Sequence, residues 1–176
     1  AESMMGAVTG THNVVVGRDG LRAITSGSYN VALGNDTNRV NTTGSNNVAI
    51  GHEALFNNTD SNNVGVGYRA LKANTSGTDN TGVGRESLEA NTTGEQNVSL
   101  GKSLYSNTTG SNNISAGYFA LAGNTTASNN IAIGHAALMT NSTGGNNVAI
   151  GYDALRASTT STEHLAIGFQ AGYSKT

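Results

Sequence analysis

The sequence predicts an all-β protein, a parallel β-solenoid (β-roll) of about ten 17-residue coils. Three observations indicate this fold class: a short repeat at nearly constant spacing, a β-branched segment in every copy, and a glycine directly after that segment. A unit this small cannot bury its own apolar side chains, whereas stacked units bury them against one another. We therefore expect one coil per repeat, and at ~4.8 Å per coil a rod on the order of 50 Å long.

The repeat has the consensus N-V-A-I-G-x-x-A-L-x-x-N-T-T-G-S-N and fills residues 13–176, while residues 1–12 are predicted to form a partial coil or cap. Its first glycine recurs every 16 or 17 residues, and we predict a positive φ there. These structural-turn glycines are Gly17, Gly34, Gly51, Gly67, Gly84, Gly101, Gly117, Gly134, Gly151 and Gly168. The two 16-residue copies, which begin at Asn47 and Asn97, lose a residue in segments that we interpret as loops.

Each unit is predicted to hold a short β-branched strand, a corner, a second short strand centred on leucine, and a polar turn. The middle residue of the first strand is small in nearly every copy, so that face admits close approach by another layer or another chain. The leucine column is interrupted at Asn38 and Gly172. The Asn-Thr turn asparagines, such as Asn41 and Asn91, are interpreted as stacked turn residues rather than glycan acceptors.

The predicted core is thin, and this favours self-association. Each coil offers roughly three large apolar side chains against the backbone entropy of a 17-residue repeat. The alanines near the corner, such as Ala54, Ala70 and Ala120, are predicted to form a second apolar face. We therefore expect homo-oligomerisation along the rod, with cyclic symmetry as the default.

Composition and motif spacing exclude several functions. The 176 residues include no cysteine, carry a net charge of -2 without a basic run, and contain no long apolar stretch, so we expect no nucleic-acid partner and no membrane insertion. His52 and His135 share a column but lie five coils apart, too far to share a metal ion. The column of carboxylates that includes Glu53 and Glu86 implies no cleft. We predict a non-enzyme with no catalytic residue, metal or cofactor.

The variable positions after glycine and leucine are predicted to project outward or to line grooves between subunits. Exposed aromatic rings beside cationic side chains suit saccharide stacking and protein contacts. Alternatively, these side chains cover hydrophobic edges between subunits. The candidate surface-binding residues are Tyr68, Arg69, Tyr105, Tyr118, Phe119, Tyr152, Arg156 and Phe169.

The segment N-V-A-I-G-H-E-A-L at residues 47–55, and its counterpart at residues 147–155, resemble two known groups of repeats. One is the left-handed parallel β-roll in the head domains of trimeric autotransporter adhesins. The other is the bacteriophage tail-fibre repeat, whose N-T-T-G turn fits this chain better. The resemblance extends over nearly all of residues 13–176 and implies a left-handed trimer that is extracellular or virion-borne and binds host surfaces.

We therefore expect a non-enzymatic structural or adhesive fibre segment, located extracellularly on a cell surface or a virion. Its expected partners are itself, as a homotrimer or filament, and a host-surface glycan or protein receptor. One alternative is a self-assembling extracellular filament whose coils stack head to tail. Another is an ice-binding solenoid, because threonine pairs such as Thr42–Thr43 and Thr108–Thr109 stack in register, with one threonine of each pair facing outward.

Overall fold

The structure, a computed structural model, describes Met4 and residues 8–173. In this part of the chain the regular secondary structure is entirely β, as the sequence predicts, with ten strands and no helix. The three-residue strands, in chain order, are β1 (Val14–Val16), β2 (Val31–Leu33), β3 (Val48–Ile50), β4 (Val64–Val66), β5 (Thr81–Val83), β6 (Val98–Leu100), β7 (Ile114–Ala116), β8 (Ile131–Ile133), β9 (Val148–Ile150) and β10 (Leu165–Ile167). Each repeat contributes one strand, so the chain is a solenoid with one coil per repeat.

The ten strands form a single parallel sheet whose order is the order of the chain. Equivalent repeat positions pair across it, as Val31 does with Val48. The two short repeats leave this register unchanged, since Val48 pairs with Val64 and Val98 pairs with Ile114. Their missing residues fall outside the strands, which confirms the interpretation of both deletion sites as loops.

The glycine after each strand turns the chain out of the sheet, as predicted. All ten structural-turn glycines have a positive φ, between 95° and 134°. Little room exists for a side chain, because a Cβ added to Gly67 would lie 2.4 Å from the carbonyl oxygen of Gly84 in the next coil. Both the backbone conformation and the close stacking of coils therefore require glycine at this corner.

The predicted second strand centred on leucine is wrong, because that segment forms a turn. Its leucines have left-handed backbone conformations, with φ of 52° at Leu55 and 54° at Leu71. This conformation turns the chain back on itself and places each leucine in the interior. Asn38 and Gly172, which interrupt the leucine column, have the same left-handed conformation, with φ of 47° and 62°. Asparagine and glycine adopt this conformation most readily.

The strands face the opposite way from the predicted core, which counts about three large apolar side chains per coil as interior. The small middle residues, such as Ala32 and Ala49, are fully buried, whereas the larger residues on either side of them are half-buried and face outward. The interior is too narrow for a larger side chain, since a Cβ added to Gly65 would lie 3.1 Å from Cγ of Leu55. The layer that approaches the small residues is thus the leucine turn of the solenoid itself.

The alanines predicted to form a second apolar face are instead part of the core. Ala54, Ala70 and Ala120 are fully buried, as are the leucines beside them. Because the first and third residues of each strand face outward, the leucine column supplies most of the large apolar side chains of the interior. The interior therefore depends on other interactions as well.

Two ladders of buried asparagines supply those interactions. In the first ladder, which precedes the strands, Oδ1 of Asn80 accepts hydrogen bonds from the backbone N–H and Nδ2 of Asn97, at 3.0 and 3.1 Å. In the second, which follows the leucine turns, Nδ2 of Asn91 donates to Oδ1 of Asn74 at 2.8 Å. Asn41, Asn91, Asn107 and Asn124 of this second ladder are fully buried, which confirms that they are stacked turn residues rather than accessible glycan acceptors.

The predicted N-terminal cap, residues 1–12, lies partly outside the described part of the chain, and the last three residues of the predicted repeat domain lie wholly outside it. Within that part, the backbone N–H of Thr9 donates to the carbonyl oxygen of Thr25 at 2.7 Å, so the segment before β1 pairs with the following coil. In Met4 and residues 8–173 there is no helix with the length and apolarity needed to span a membrane.

Candidate functional site

An apolar surface runs the full length of the described sheet. It consists of the outward-facing first and third residues of the ten strands, which we call the aliphatic strip. The strip is aliphatic except at Thr81, with a small Ala116, and it contains no charged residue. Its side chains are half-buried or exposed within the rod, with 44% exposure at Leu100 and 40% at Ile133, and they are most exposed in the end coils, with 71% at Leu165. An exposed apolar surface of this extent is typical of an interaction site.

Two exposed columns border the aliphatic strip. The leading column, two residues before each strand, is mainly amide and contains His12, Tyr29, Asn46, Asn62, Asp79, Gln96, Asn112, Asn129, Asn146 and Glu163. The trailing column, two residues after each strand, contains Arg18, Asn35, His52, Tyr68, Arg85, Lys102, Tyr118, His135, Tyr152 and Phe169. The leading column thus holds two carboxylates, whereas the trailing column holds cations and aromatic rings but no carboxylate.

Four aromatic rings stack along the last coils of the trailing column. The ring centroids are 5.9 Å apart for Tyr118 and His135, 4.9 Å for His135 and Tyr152, and 5.5 Å for Tyr152 and Phe169. Their planes are within 27° of parallel. Because the faces of adjacent rings cover one another, this stack presents mainly ring edges to solvent, and an open ring face for saccharide stacking remains only at its ends.

Tyr68 and Arg69 lie in a separate cluster on the fourth coil. The Tyr68 ring stacks on His52 at a centroid distance of 5.8 Å, and the Arg69 guanidinium lies 5.0 Å from the same ring. Nε of Arg69 also donates to Oε2 of Glu53 at 2.7 Å. This hydrogen bond raises the pKa of Arg69 and holds its charge against a carboxylate of the same chain.

The column of carboxylates two residues after the turn glycine is paired with cations along much of the rod. Glu53 contacts Nζ of Lys72 at 2.9 Å as well as Arg69, and Glu86 contacts both Arg85 and Lys102. Hydrogen bonds from Lys72 and Arg69 lower the pKa of Glu53, and those from Lys102 and Arg85 lower the pKa of Glu86. A general acid needs the opposite shift, so these two carboxylates act as ion-pair partners.

The ion-paired surface is interrupted at the sixth to eighth coils by a depression that we call the aromatic notch. It has a volume of about 280 Å³. Its lining residues are Tyr105, Phe119, Ala122, Gly123, Met139 and Thr140. Three of the candidate binding residues meet here, since the ring centroids are 6.1 Å apart for Tyr105 and Phe119 and 4.0 Å apart for Tyr118 and Phe119.

The remaining candidate, Arg156, lies beyond the notch. Its Nε is 3.6 Å from Oδ1 of Asp153, and its Nη1 donates to the hydroxyl oxygen of Tyr173 at 3.3 Å. The structure thus distributes the eight candidate residues among the aromatic stack, the Tyr68 cluster, the aromatic notch and this ion pair, rather than gathering them in one site.

Sequence reasoning missed the floor of the notch, Ala122 and Gly123, and the role of Met139 as a wall. Two signals point to them. Ala122 is the one small residue in a column that elsewhere carries long or aromatic side chains directly after the leucine position. The neighbouring sixth coil is one of the two short repeats, and it lacks the residue that carries a carboxylate in several other coils.

In the ranges that the structure describes, no group of three or more histidine, aspartate or glutamate side chains is arranged to hold a metal ion. The predicted absence of metals and cofactors stays a prediction. A comparison with protein-family models, with curated proteins and with solved structures finds no match to this chain. The functional interpretation therefore depends on the repeat and on the surfaces described above.

Proposed function

We propose that this protein is a non-enzymatic structural segment of an adhesive extracellular fibre, borne on a bacterial surface or a virion, whose subunits associate along the aliphatic strip. The observation that supports this proposal most strongly is the strip itself. It places the large β-branched side chains of ten coils on the outside of a rod whose interior is already filled by leucine, alanine and asparagine. Association of subunits removes that surface from water.

The dimensions of the strip set the size of the interface that it can form. Ten strands span roughly 50 Å along the rod, and three strand residues are about 10 Å wide at ~3.3 Å per residue. The resulting area, on the order of 500 Å², is less than the ~800 Å² per partner of a standard protein interface. The leading and trailing columns that border the strip therefore contribute to the proposed contact as well.

The charges that border the strip favour parallel subunits. When rods associate around an axis along their length, the trailing column of one subunit meets the leading column of the next at the same height. Arg85 then faces Asp79 of the adjacent subunit, and Lys102 faces Gln96. In an antiparallel pair the trailing columns meet each other, and Arg85 instead faces Lys102. The parallel arrangement avoids this repulsion and agrees with the trimer that the resemblance implies.

Light scattering of the purified protein, with charged variants of the strip, tests this proposal. We expect a mass of three chains for the natural sequence and of one chain for the double variant Leu100→Glu/Ile133→Glu. Both leucine and isoleucine are at least 40% exposed in the single chain, so the variant keeps the fold of the coil, as circular dichroism would show. The matched control is Thr109→Glu/Thr143→Glu, which places the same charges on exposed turn residues outside the strip.

A monomeric natural protein would contradict the proposal, as would a double strip variant that keeps the assembled mass. A control variant that dissociates as readily as the strip variant would also contradict it, since added charge anywhere on the surface would then explain the result. The proposed adhesive role places contacts with a host glycan or protein outside the strip, because assembly covers the strip itself.

A filament that grows head to tail is the second candidate. Within the described residues, β1 and β10 each pair with one strand only, and Leu165 of β10 is 71% exposed. Unpaired edges of this kind favour the addition of further strands. Electron micrographs of negatively stained protein distinguish the two assemblies: rods on the order of 50 Å long support the fibre segment, and long fibres of indefinite mass support the filament.

Ice binding is favoured by one observation only, a column of exposed turn threonines that includes Thr43, Thr93, Thr109 and Thr126. The adjacent column is already engaged, since the hydroxyl of Thr108 donates to the carbonyl oxygen of Thr125 at 2.9 Å. A single column offers a narrow surface to ice. A thermal-hysteresis measurement tests this function: activity that Thr109→Tyr/Thr126→Tyr abolishes would establish it, and no activity would reject it.

A further inference from the structure

We propose that the aromatic notch binds one large apolar or aromatic side chain of a partner polypeptide, and that this anchor is flanked by acidic residues. The notch lies on a different surface from the aliphatic strip. The inference therefore stands without the fibre proposal, although it supplies an adhesive fibre with a protein-binding site.

The notch exists because three coils depart from the repeat in the same place. Elsewhere on this surface, carboxylates and cations of the two columns form ion pairs, such as Asp36 with Arg39 and Asp153 with Arg156. The short sixth coil lacks the carboxylate position, the seventh carries Phe119 there, and the eighth carries Ala136. An ion-paired surface thus gives way to an aromatic one over these coils.

The walls and floor of the notch are well defined. The Tyr105 and Phe119 rings form one wall, inclined at 52° to each other, and Met139 lies on the opposite side. Ala122 is only 5% exposed, and a Cβ added to Gly123 would lie 2.9 Å from the carbonyl oxygen of Met139. A side chain at Gly123 therefore could not fill the notch without a shift of the backbone. The volume of about 280 Å³ suits one large side chain.

Most polar groups of the floor are already hydrogen-bonded within the solenoid. The backbone N–H of Gly123 donates to the carbonyl oxygen of Met139 at 2.8 Å, and the Thr140 hydroxyl donates to the carbonyl oxygen of Arg156 at 2.7 Å. A saccharide needs several free, directed hydrogen-bonding groups, whereas an apolar anchor in a protein interface needs a desolvated pocket with aromatic walls. The chemistry of the floor therefore favours a side chain over a sugar.

The rim of the notch explains the preference for acidic flanking residues. Nζ of Lys102 lies 5.5 Å from the centroid of the Tyr105 ring and 5.6 Å from that of Phe119. Within one chain, Lys102 and Arg85 both pair with one carboxylate, that of Glu86, so this group of three side chains keeps one net positive charge, which it shares with Asp79 of the adjacent subunit in the proposed parallel assembly. A carboxylate beside the anchor of a partner balances that charge.

Methyl NMR of the full chain labelled with ¹³C at the methionine methyl groups tests the proposal. The chain contains three methionines, and a Met139→Leu variant assigns the Met139 signal. We expect the capped tripeptide Asp-Trp-Asp to shift this signal in a saturable manner, with half-saturation at millimolar concentration. The capped tripeptide Asp-Ala-Asp, which lacks the anchor, and methyl glucoside should leave the signal unchanged.

The variant Ala122→Arg fills the notch with the residue type that the same column carries at Arg39 and Arg156. We expect it to keep the fold and to weaken tripeptide binding at least tenfold. The matched variant Ala73→Arg adds the same side chain near the leucine turn of the fourth coil, outside the notch, and should bind as the natural protein does.

Three results would overturn the proposal: a Met139 signal that does not move with Asp-Trp-Asp, an equal shift with Asp-Ala-Asp, or equal binding by Ala122→Arg. A saturable shift with methyl glucoside in place of the tripeptide would also overturn it and would assign the notch to a glycan. None of these results bears on the mass of the assembled protein, so failure here is distinct from failure of the fibre proposal.

Discussion

At the scale of single residues, the leucine turn combines a backbone cost with a packing gain. Left-handed φ values cost an ordinary residue roughly 1–2 kcal/mol, yet this column is mostly leucine. Burial of a leucine contributes about 1.5–3 kcal/mol, which offsets that cost. Leucine is therefore selected for its side chain, and the asparagine and glycine that interrupt the column fit the backbone better but the core less well.

Asn38 is the clearest example, and its replacement should stabilise the protein. Asn38 is fully buried, and neither its Nδ2 nor its Oδ1 has a hydrogen-bond partner within the described structure. It separates the apolar cluster around Leu21 from the larger one that begins at Ala49 and Leu55. Because Asn38→Leu removes two unpaired polar atoms and joins the clusters, we expect a gain of about 1–2 kcal/mol after the backbone cost.

Chemical denaturation at one protein concentration would measure the effect of Asn38→Leu. The control is Asn38→Ala, which removes the same polar atoms but fills no space, and it should give a smaller gain. If the leucine variant unfolds at a lower denaturant concentration than the natural chain, the interpretation of Asn38 as a defect in the core is wrong.

At the scale of elements, the buried asparagine ladders join adjacent coils in addition to the sheet. The Asn80 side chain donates to the carbonyl oxygen of Gly94 at 2.8 Å and accepts two hydrogen bonds from Asn97. Asn80→Ala leaves the backbone N–H of Asn97 buried without this partner, so we expect a loss of about 2–4 kcal/mol from the unpaired groups and the space left behind.

The matched control for this ladder variant is Thr126→Ala, which removes an exposed turn side chain and should change stability by less than about 0.5 kcal/mol. Denaturation curves of the two variants and the natural protein make the comparison. Equal, small effects at both positions would mean that the ladder contributes little and that the sheet and the leucine column hold the coils together.

The ion pairs beside the leucine turn should make stability depend on pH. Lys72 and Arg69 lower the pKa of Glu53 below its ordinary value of 4.5, and Lys102 and Arg85 do the same for Glu86. Both carboxylates thus bind protons more weakly in the folded chain than in the unfolded chain. Their contribution is complete above the unfolded pKa and is lost as the pH falls through the lowered folded values.

Denaturation midpoints in urea at about pH 6 and about pH 3 test this dependence, since the two pH values lie on either side of the ordinary glutamate pKa of 4.5. We expect the natural protein to lose stability on acidification, and the variant Glu53→Gln/Glu86→Gln to lose less. If the natural protein and the variant lose the same amount, other carboxylates carry the pH dependence and these pairs contribute nothing measurable.

Much of the element structure follows from the sequence, and the errors have physical causes. The glycine spacing and the alternation at residues such as Val48, Ala49 and Ile50 correctly predict ten strands in register. The alternation of large and small residues defines two faces of each strand but does not show which face is buried. The assumption that large apolar residues are buried assigns the wrong face to the interior. The sequence wrongly predicts a strand at the leucine turn because a left-handed conformation at a non-glycine residue has no clear sequence signal.

The candidate binding site is only partly predictable for a similar reason. Tyr105 and Phe119 stand out because they are aromatic residues at outward positions, and the structure brings them together. The notch between them depends on what is small or absent, namely Ala122, Gly123 and the residue missing after Gly101. A consensus describes what repeats share, so departures of this kind become informative only once the columns are placed in space.

At the scale of the whole molecule, we propose that parallel subunits associate along the aliphatic strip. The chain has no cysteine, so a single engineered cysteine can carry a spin label at any height along the rod. Labels at Thr93, near the middle of the rod, and at Thr160, near one end, report the arrangement through distances between subunits.

The most direct test is a pulsed electron paramagnetic resonance measurement on assembled Thr93→Cys and Thr160→Cys proteins. Parallel subunits predict similar, short distances between labels at both heights. An antiparallel arrangement predicts that the Thr160 labels are separated along the rod by about 40 Å, roughly eight coils at ~4.8 Å, while the Thr93 labels stay close. That result, or the absence of any dipolar signal between chains, would contradict the association of parallel subunits along the aliphatic strip.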